Sequence, residues 1–351
     1  MANQTRQLAR LLGTEGISVE IVRTNADYRP AFVGKLRGVR AVFRLIPYLI
    51  SLWSAIGRAE LVHLMANSGW SWHLFAAPAV WMANLRNTPV LVNYRGGDAE
   101  AFFQRSYRWV APTLEKAAAV VVPSSFLEAV FAKRRVATRI VPNVVDLSRF
   151  NAKERPTDRS APHLIVTRNL EPIYDIPTAL QAFQLVHAED AGARLTVAGT
   201  GPERDALVRL ADTLQIADAV TFCGRLDNED IASLYTSADV MLNASTIDNM
   251  PISILEALAS GVPVVSTRAG GIPHLVSDGE TALLVPTGDS QAMAAAAKRL
   301  LNDAALSDRL RGSGLKLIRQ YTWPSVRSLL FAAYQDSLTP SVDSPAARGQ
   351  N

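Results

Sequence analysis

Residues 248–266, DNMPISILEALASGVPVVS, set two carboxylates, Asp248 and Glu256, eight positions apart around a short helical pattern that runs into an apolar strand. Asp248 and Asn249 are placed to cap the first amides of a helix opened by Pro251, and Gly261 is placed to end it. A helix start of this kind attracts anions. Glu256 falls in the second turn, beside Ala259 and Ser260, where a carboxylate can accept hydrogen bonds from vicinal ribose hydroxyls. This chemistry suits a sugar joined to a diphosphate, with the two acids gripping its ends. On spacing alone, Asp248 serves equally as an ordinary N-cap and Glu256 as a solvated helix residue.

Other residues extend the pattern. Arg168 ends the apolar run HLIVT, a cation at a strand end, with a surface ion pair to Glu171 or Asp175 as the ordinary reading. Gly199 and Gly201 in VAGTGPERDAL stand between a strand and a helix, where the backbone turns tightly and approaches a ligand. Arg225, next to Gly224, adds charge near a nucleotide. In NYRGGDAEAF, Arg95 is placed to meet a phosphate or developing charge and Asp98 to orient an acceptor hydroxyl; RGGD is also ordinary turn chemistry. His63 and Asn67, near MANSGWSW, are assigned to the acceptor, with packing as the alternative.

These residues need a scaffold that brings strand ends together. Short β-branched runs alternate with longer helical patterns throughout, the rhythm of parallel α/β units. Strands are expected at 17–22, 61–65, 89–94, 118–123 and 137–142, and again at 163–167, 194–198, 219–223, 239–244, 263–267 and 282–286. The polar segment 150–162, FNAKERPTDRSAP, reads as a linker between domains 1–149 and 163–322. Residues 323–338 read as a last helix and 339–351 as a disordered tail. Two doubly wound domains facing across a cleft place a ligand at the carboxyl ends of the strands.

The segment EALASGVPVVST resembles the donor loop of the retaining glycosyltransferases of family four, whose signature is E-x(7)-E followed by A-x-A-x-G-x-P-V-V. Asp248 stands for the first Glu and shortens that side chain by one methylene; the resemblance implies catalysis for Asp248 and donor contacts for Asn249, Met250, Pro251, Ile252 and Glu256. Arg168 occupies the arginine of the family's G-R-L-x-x-x-K pattern, which implies that it balances the charge of a leaving diphosphate, with Ile173 or Tyr174 where the lysine belongs. Gly270 and Gly271 in AGGIPHLV resemble the family's G-G-x-P-E loop near the diphosphate, with His274 in place of Glu. The resemblance implies a B-type architecture of two Rossmann-like domains, the first for the acceptor and the second for the nucleotide sugar. It also implies hexose transfer with retention to a lipid-linked or polysaccharide acceptor in cell-envelope assembly, with no cofactor besides the nucleotide-sugar co-substrate. The family opens with a strand and a glycine-rich loop, whereas MANQTRQLARLL reads as the helix that follows them, so the first sheet is expected to lack that strand. Two further readings remain open: a catalytically degenerate homologue that binds glycan or nucleotide sugar, and a sugar-nucleotide epimerase.

Composition bounds these readings. With 351 residues, 48% of them hydrophobic and 19% charged, the chain is globular and long enough for two cores. One cysteine, Cys223, excludes an internal disulfide and a cysteine metal cluster, which fits a reducing cytoplasm. The histidines are scattered, no D-x-D, C-x-x-C or H-E-x-x-H occurs, and no metal site is expected. Neither a secretory leader nor a spanning apolar stretch is read. Charge is uneven: residues 1–150 carry 19 Lys and Arg against 9 acids. Residues 28–59 hold Arg29, Lys35, Arg37, Arg40, Arg44 and Arg58 with no acid, among aromatics. Near an anionic bilayer each adds roughly 1 kcal/mol, so residues 29–58 are expected to meet the inner face of the plasma membrane. A solvated helical face is the alternative, and nucleic acid is disfavoured because no recognition motif accompanies the charge.

Overall fold

A computed structural model describes residues 2–24, 40–152 and 161–339. The chain forms two compact units. The first comprises the described residues up to Val141 together with those from Arg327 onward, and the second runs from Pro142 to Val326.

In the first unit, β1 (Val62–Ala66), β2 (Val90–Tyr94), β3 (Ala119–Val122) and β4 (Arg139–Ile140) form a parallel sheet in that order. Helices follow β1, β2 and β3, as parallel neighbours require. Its core centres on Tyr94, Phe103 and Phe131, whose rings meet edge-on or tilted with centroids 4.9–5.6 Å apart. The last helix, Trp323–Leu338, contributes Leu330 and Ala333 as buried residues. Arg327 pairs with Glu15, and Asp336 with Arg139.

Residues 17–22, expected as a strand, are not one. Ile17, Val19 and Ile21 are exposed, and the segment pairs with no strand among the described residues. Alternation sets which side chains share a face, but a strand needs a hydrogen-bonded neighbour, which alternation does not supply.

The second unit holds β5 (His163–Val166), β6 (Arg194–Ala198), β7 (Val220–Gly224), β8 (Val240–Asn243), β9 (Val264–Thr267) and β10 (Leu283–Val285), all parallel. Their spatial order is β10-β9-β8-β5-β6-β7. Numbered within the unit this is 3-2-1-4-5-6 read from the other edge, the doubly wound order, whereas the described strands of the first unit run in chain order without a reversal; both are the parallel α/β units that the sequence led one to expect. Alternate strand residues feed opposite layers: Leu164, Leu242 and Val265 pack with Phe183 and Leu180, while Ile165, Met241 and Val264 pack with Ile254 and Leu258. Apolar runs on both sheet faces explain why these strands read as continuous hydrophobic stretches.

The chain between the sheets belongs to the second unit as far as it is described. Val145 donates its amide to the Tyr321 carbonyl, and Phe150 packs edge-on against Tyr235. Most of the segment read as a linker, and nearly all of the tail, lie outside the described residues, as do Arg29, Lys35 and Arg37.

Candidate functional site

The doubly wound order reverses direction between β5 and β8, which pair directly through Leu164 with Val240 and Ile165 with Met241. Chains leaving these two carboxyl ends diverge, and the gap they open is where such sheets receive ligands. Arg168 follows β5, and Asp248 lies in the loop after β8. Arg168 Nη2 donates to Asp248 Oδ2, and Nη1 donates to Ser253 Oγ at 3.2 Å. The guanidinium carbon stands 4.0 Å from the centroid of the Tyr174 ring. Both members of the ion pair are nearly enclosed, with side chains 10% and 12% exposed. The alternative partners Glu171 and Asp175 are not used. Arg168 Nε is buried with no hydrogen-bond partner in the structure, and two of the five guanidinium donors are engaged by Asp248 and Ser253.

Asp248 is not a helix cap. Its Oδ1 accepts from the Asn249 amide at 2.7 Å, while the cap position of helix Ile252–Ala259 is Pro251, in an extended conformation and without a side-chain cap bond. Arginine and the adjacent amide hold the carboxylate three residues ahead of that position. Asn249 and Met250 are buried; Asn143 Nδ2 donates to the Met250 carbonyl at 2.8 Å and fixes the turn into the helix. The Pro251 carbonyl accepts from Ile254 and Leu255, so the amides of Ile252 and Ser253 start the helix without an intrahelical acceptor.

Two glycine pairs hold the two loops by backbone contact. A Cβ on Gly270 would stand 2.1 Å from the Asp248 carbonyl oxygen, and one on Gly271 would stand 2.1 Å from that of Asn249. Gly271 also donates its amide to the Asp248 carbonyl at 2.9 Å. Gly199 and Gly201 lie equally close to the carbonyls of Arg168 and Leu170. These glycines, expected to approach a ligand, approach the loops carrying Arg168 and Asp248 instead. Arg225 is exposed directly after β7, and His274 is exposed in the short helix after Gly271.

Glu256 is partly buried and accepts a hydrogen bond from the Tyr235 hydroxyl at 3.1 Å. Burial pushes its carboxyl up to about 7, against the opposing Tyr235 bond and the charges of Arg149 and Arg168. The Tyr235 hydroxyl also lies 2.6 Å from Thr167 Oγ1 and 3.1 Å from the Ser253 carbonyl, tying Glu256 to the residue preceding Arg168. Sequence reasoning missed Tyr235, Tyr174 and Ser253. Tyr235 sits on the helix preceding β8, and only the packed fold brings its hydroxyl to Glu256.

In the first unit, Arg95 donates from Nη1 to Gln4 Oε1 at 2.6 Å and from Nε to Asn93 Oδ1 at 3.2 Å. Asn93 Nδ2 lies 3.0 Å from His63 Nε2, and His63 Nδ1 lies 2.7 Å from the Tyr334 hydroxyl. An amide donor facing Nε2 leaves the ring proton on Nδ1, aimed at Tyr334. Burial, then the charge of Arg95, holds His63 down at about 3. His63, expected at the acceptor, thus has both ring nitrogens committed to side chains of the first unit. Asn67 Oδ1 accepts from the Ser68 amide, and Gly96 packs closely on both residues. Asp98 is half-exposed and pairs with Arg105 at 3.3 Å, although a hydroxyl-orienting role was expected of it. Of the tryptophans near this loop, Trp72 is core and Trp70 is largely exposed.

Among the described residues no cluster of three or more His, Cys, Asp or Glu is arranged to hold a metal ion. No described helix is long and apolar enough to cross a membrane.

Comparison with known proteins places both units. Residues 1–149 match the family model described as Glycosyltransferase Family 4, and residues 161–303 match that of Glycosyl transferases group 1. N-acetyl-alpha-D-glucosaminyl L-malate synthase of Bacillus anthracis is 36% identical over 154 residues, 44% of this chain and 40% of that protein. The Anabaena protein HepE, solved with UDP, superposes with a TM-score of 0.72 at 17% identity, covering 93% of this chain and 88% of that one. Sucrose-phosphate synthase of Thermosynechococcus elongatus gives 0.69 at 22% identity, covering 86% and 79%. At these identities the two structures establish the shared B-type fold. The chain spans about half or less of the length of the curated relatives it matches.

Proposed function

The chain belongs to the group 1 glycosyltransferases, and from that premise we propose that it moves a hexose from a nucleoside diphosphate sugar to a hydroxyl of a lipid-linked or polysaccharide acceptor. The reaction retains anomeric configuration and uses no divalent metal or other cofactor. The observation that carries the reading is the nearly buried Arg168–Asp248 pair at the sheet's switch point, beside the start of helix Ile252–Ala259.

In this reading the bond from the sugar's C1 to the diphosphate oxygen breaks as the acceptor oxygen bonds to C1 on the same face. The acceptor's proton passes to the departing phosphate oxygen. Arg168, held by Asp248 and Tyr174, meets the growing negative charge with its remaining donors, and the amides of Ile252 and Ser253, which have no acceptor within the helix, add theirs. Fixing these donors beforehand avoids reorganisation during the reaction. Asp248 faces the sugar, and Glu256, oriented by Tyr235, accepts from the ribose hydroxyls. Gly199, Gly201, Gly270 and Gly271 support the donor loops from behind, and Arg225 flanks the base. On the acceptor side Arg95 is held by Gln4 and Asn93, with Asn67 and Asp98 near it in sequence or fold. Residues 29–58 bring the enzyme to an anionic membrane on the cytoplasmic side. Support for a nucleotide-sugar donor comes from the relative crystallised with UDP.

The test is to incubate the purified chain with UDP-, GDP- and ADP-sugars, with and without lipid-linked and oligosaccharide acceptors, and to assign the product anomer by NMR. A new glycoside with the donor's anomeric configuration is the expected result. Donor binding without turnover would support the degenerate homologue, an isomerised donor the epimerase, and failure to bind any donor would overturn the proposal.

A further inference from the structure

Three exposed tryptophans of the first unit, Trp53, Trp81 and Trp109, each carry a cation over the ring. Arg86 stands 4.6 Å from the Trp53 centroid, Lys116 lies 4.5 Å from that of Trp81, and Arg108 lies 5.1 Å from that of Trp109. The three lie on consecutive, touching helices, Arg40–Ile56, Ala77–Leu85 and Ala99–Leu114. Arg86, at the end of the second helix, donates to the Trp53 carbonyl, and Trp81 Nε1 donates to Thr113 Oγ1 of the third. Trp109 lies one helical turn before Thr113, on the same side. The first helix adds Ile46 and Ile50, exposed at helical spacing with Trp53, while Tyr48, Leu52 and Ile56 take its buried side.

We infer that this three-helix face is a membrane-docking surface, seated on an anionic lipid leaflet with Ile46, Ile50 and the three indoles at the boundary of headgroups and acyl chains. It deepens the membrane contact proposed above and rests on that reading for the class of occupant. The new element is that Trp81, Trp109 and their cations lie well outside the basic segment 29–58. Indoles prefer the polar-to-apolar boundary, and a guanidinium or ammonium over each ring places positive charge at phosphate level. Residues 28–59 hold six basic residues and no acid, so the charge favours an anionic surface. Exposed isoleucines at helical spacing favour lipid over nucleic acid, which offers bases for stacking but no apolar interior.

The experiment is co-sedimentation of the full chain with vesicles of equal parts phosphatidylglycerol and phosphatidylcholine, and with phosphatidylcholine alone, at low and high salt. Light scattering is recorded without lipid. Binding to the anionic vesicles, weakened by salt and absent from the neutral ones, is expected. Ile50→Asp and Trp109→Asp should each lower it at least about tenfold while leaving the unfolding midpoint and nucleotide-sugar affinity unchanged. The serine variants at both positions serve where an aspartate disturbs folding. No binding to anionic vesicles, binding indifferent to these variants, or a dimer dispersed by the same variants would overturn the inference. Nucleotide-sugar affinity is measured on the same preparations, so failure of the transferase reading shows separately from failure to dock.

Discussion

Arg168 and Asp248, eighty residues apart in sequence, form a nearly buried ion pair that joins the loop after β5 to the loop after β8. Each stands at one strand of the pair where the sheet changes direction, so the bond spans the opening in which a doubly wound unit takes its ligand.

Breaking a buried pair from one side leaves a charge without compensation. Arg168→Met is therefore expected to destabilise the second unit by about 3–5 kcal/mol, whereas adding Asp248→Leu should recover a large part of the loss. Urea unfolding of the two single variants and the double variant measures this. A double variant as unstable as the sum of the singles would show that the two side chains act independently.

The loop bearing Asp248 rests on Gly270, which has a φ of +51° and no room for a Cβ. Gly270→Ala should cost at least about 2 kcal/mol and lower donor affinity. Gly279 supplies the control. It has a φ of +73° with open space around it, so Gly279→Ala should cost about 1 kcal/mol and leave donor affinity alone. Equal costs at the two sites would remove the role given to the Gly270 contact.

Glu256 gives a pH signature with a definite sign. Its folded value, about 7, lies above the usual 4.5, so the native state holds a proton that the unfolded chain has released. That contribution to stability is complete below pH 4.5 and is lost as pH rises towards 7, by up to about 3 kcal/mol. Glu256→Gln should flatten this part of the stability profile. Tyr235→Phe removes a bond that favours the carboxylate, so it should move the loss to higher pH. A profile unchanged by Glu256→Gln would contradict the assignment.

His63 carries the opposite sign. With its value held at about 3 against a usual 6.5, it remains neutral in the native state, and its contribution is lost as pH falls below 6.5. Its ring-proton NMR shift should stay constant from roughly pH 8 to pH 5. A midpoint near 6.5 would mean that the Asn93 and Tyr334 contacts do not persist in solution.

Much of this architecture is legible in the sequence. Each described strand overlaps a short apolar run expected to be one, and those buried on both faces, such as Val90–Tyr94 and Val264–Thr267, are the clearest because both faces need packing side chains. Residues 17–22 mislead for the converse reason: alternation is local, whereas pairing depends on a distant neighbour. The candidate residues are legible one by one, and their partnerships are not. Asp248 and Arg168 stand out singly, yet their bond follows from β8 crossing to the far side of β5. Gly199, Gly201, Gly270 and Gly271 mark close approach, but sequence does not say what approaches, and it proves to be the neighbouring loop. Tyr235 leaves no local trace, since a tyrosine on an amphipathic helix reads as core.

The most direct test is calorimetric titration of the purified chain with UDP-, GDP- and ADP-sugars, repeated on Glu256→Gln and Asp248→Asn. The account predicts binding of one donor class, weakened roughly tenfold or more by Glu256→Gln, which exchanges for an amide the carboxyl proposed to accept from the ribose hydroxyls. Asp248→Asn should bind within a few-fold of the parent and lose transfer. No binding of any donor, or two variants indistinguishable from the parent in both affinity and transfer, would contradict it.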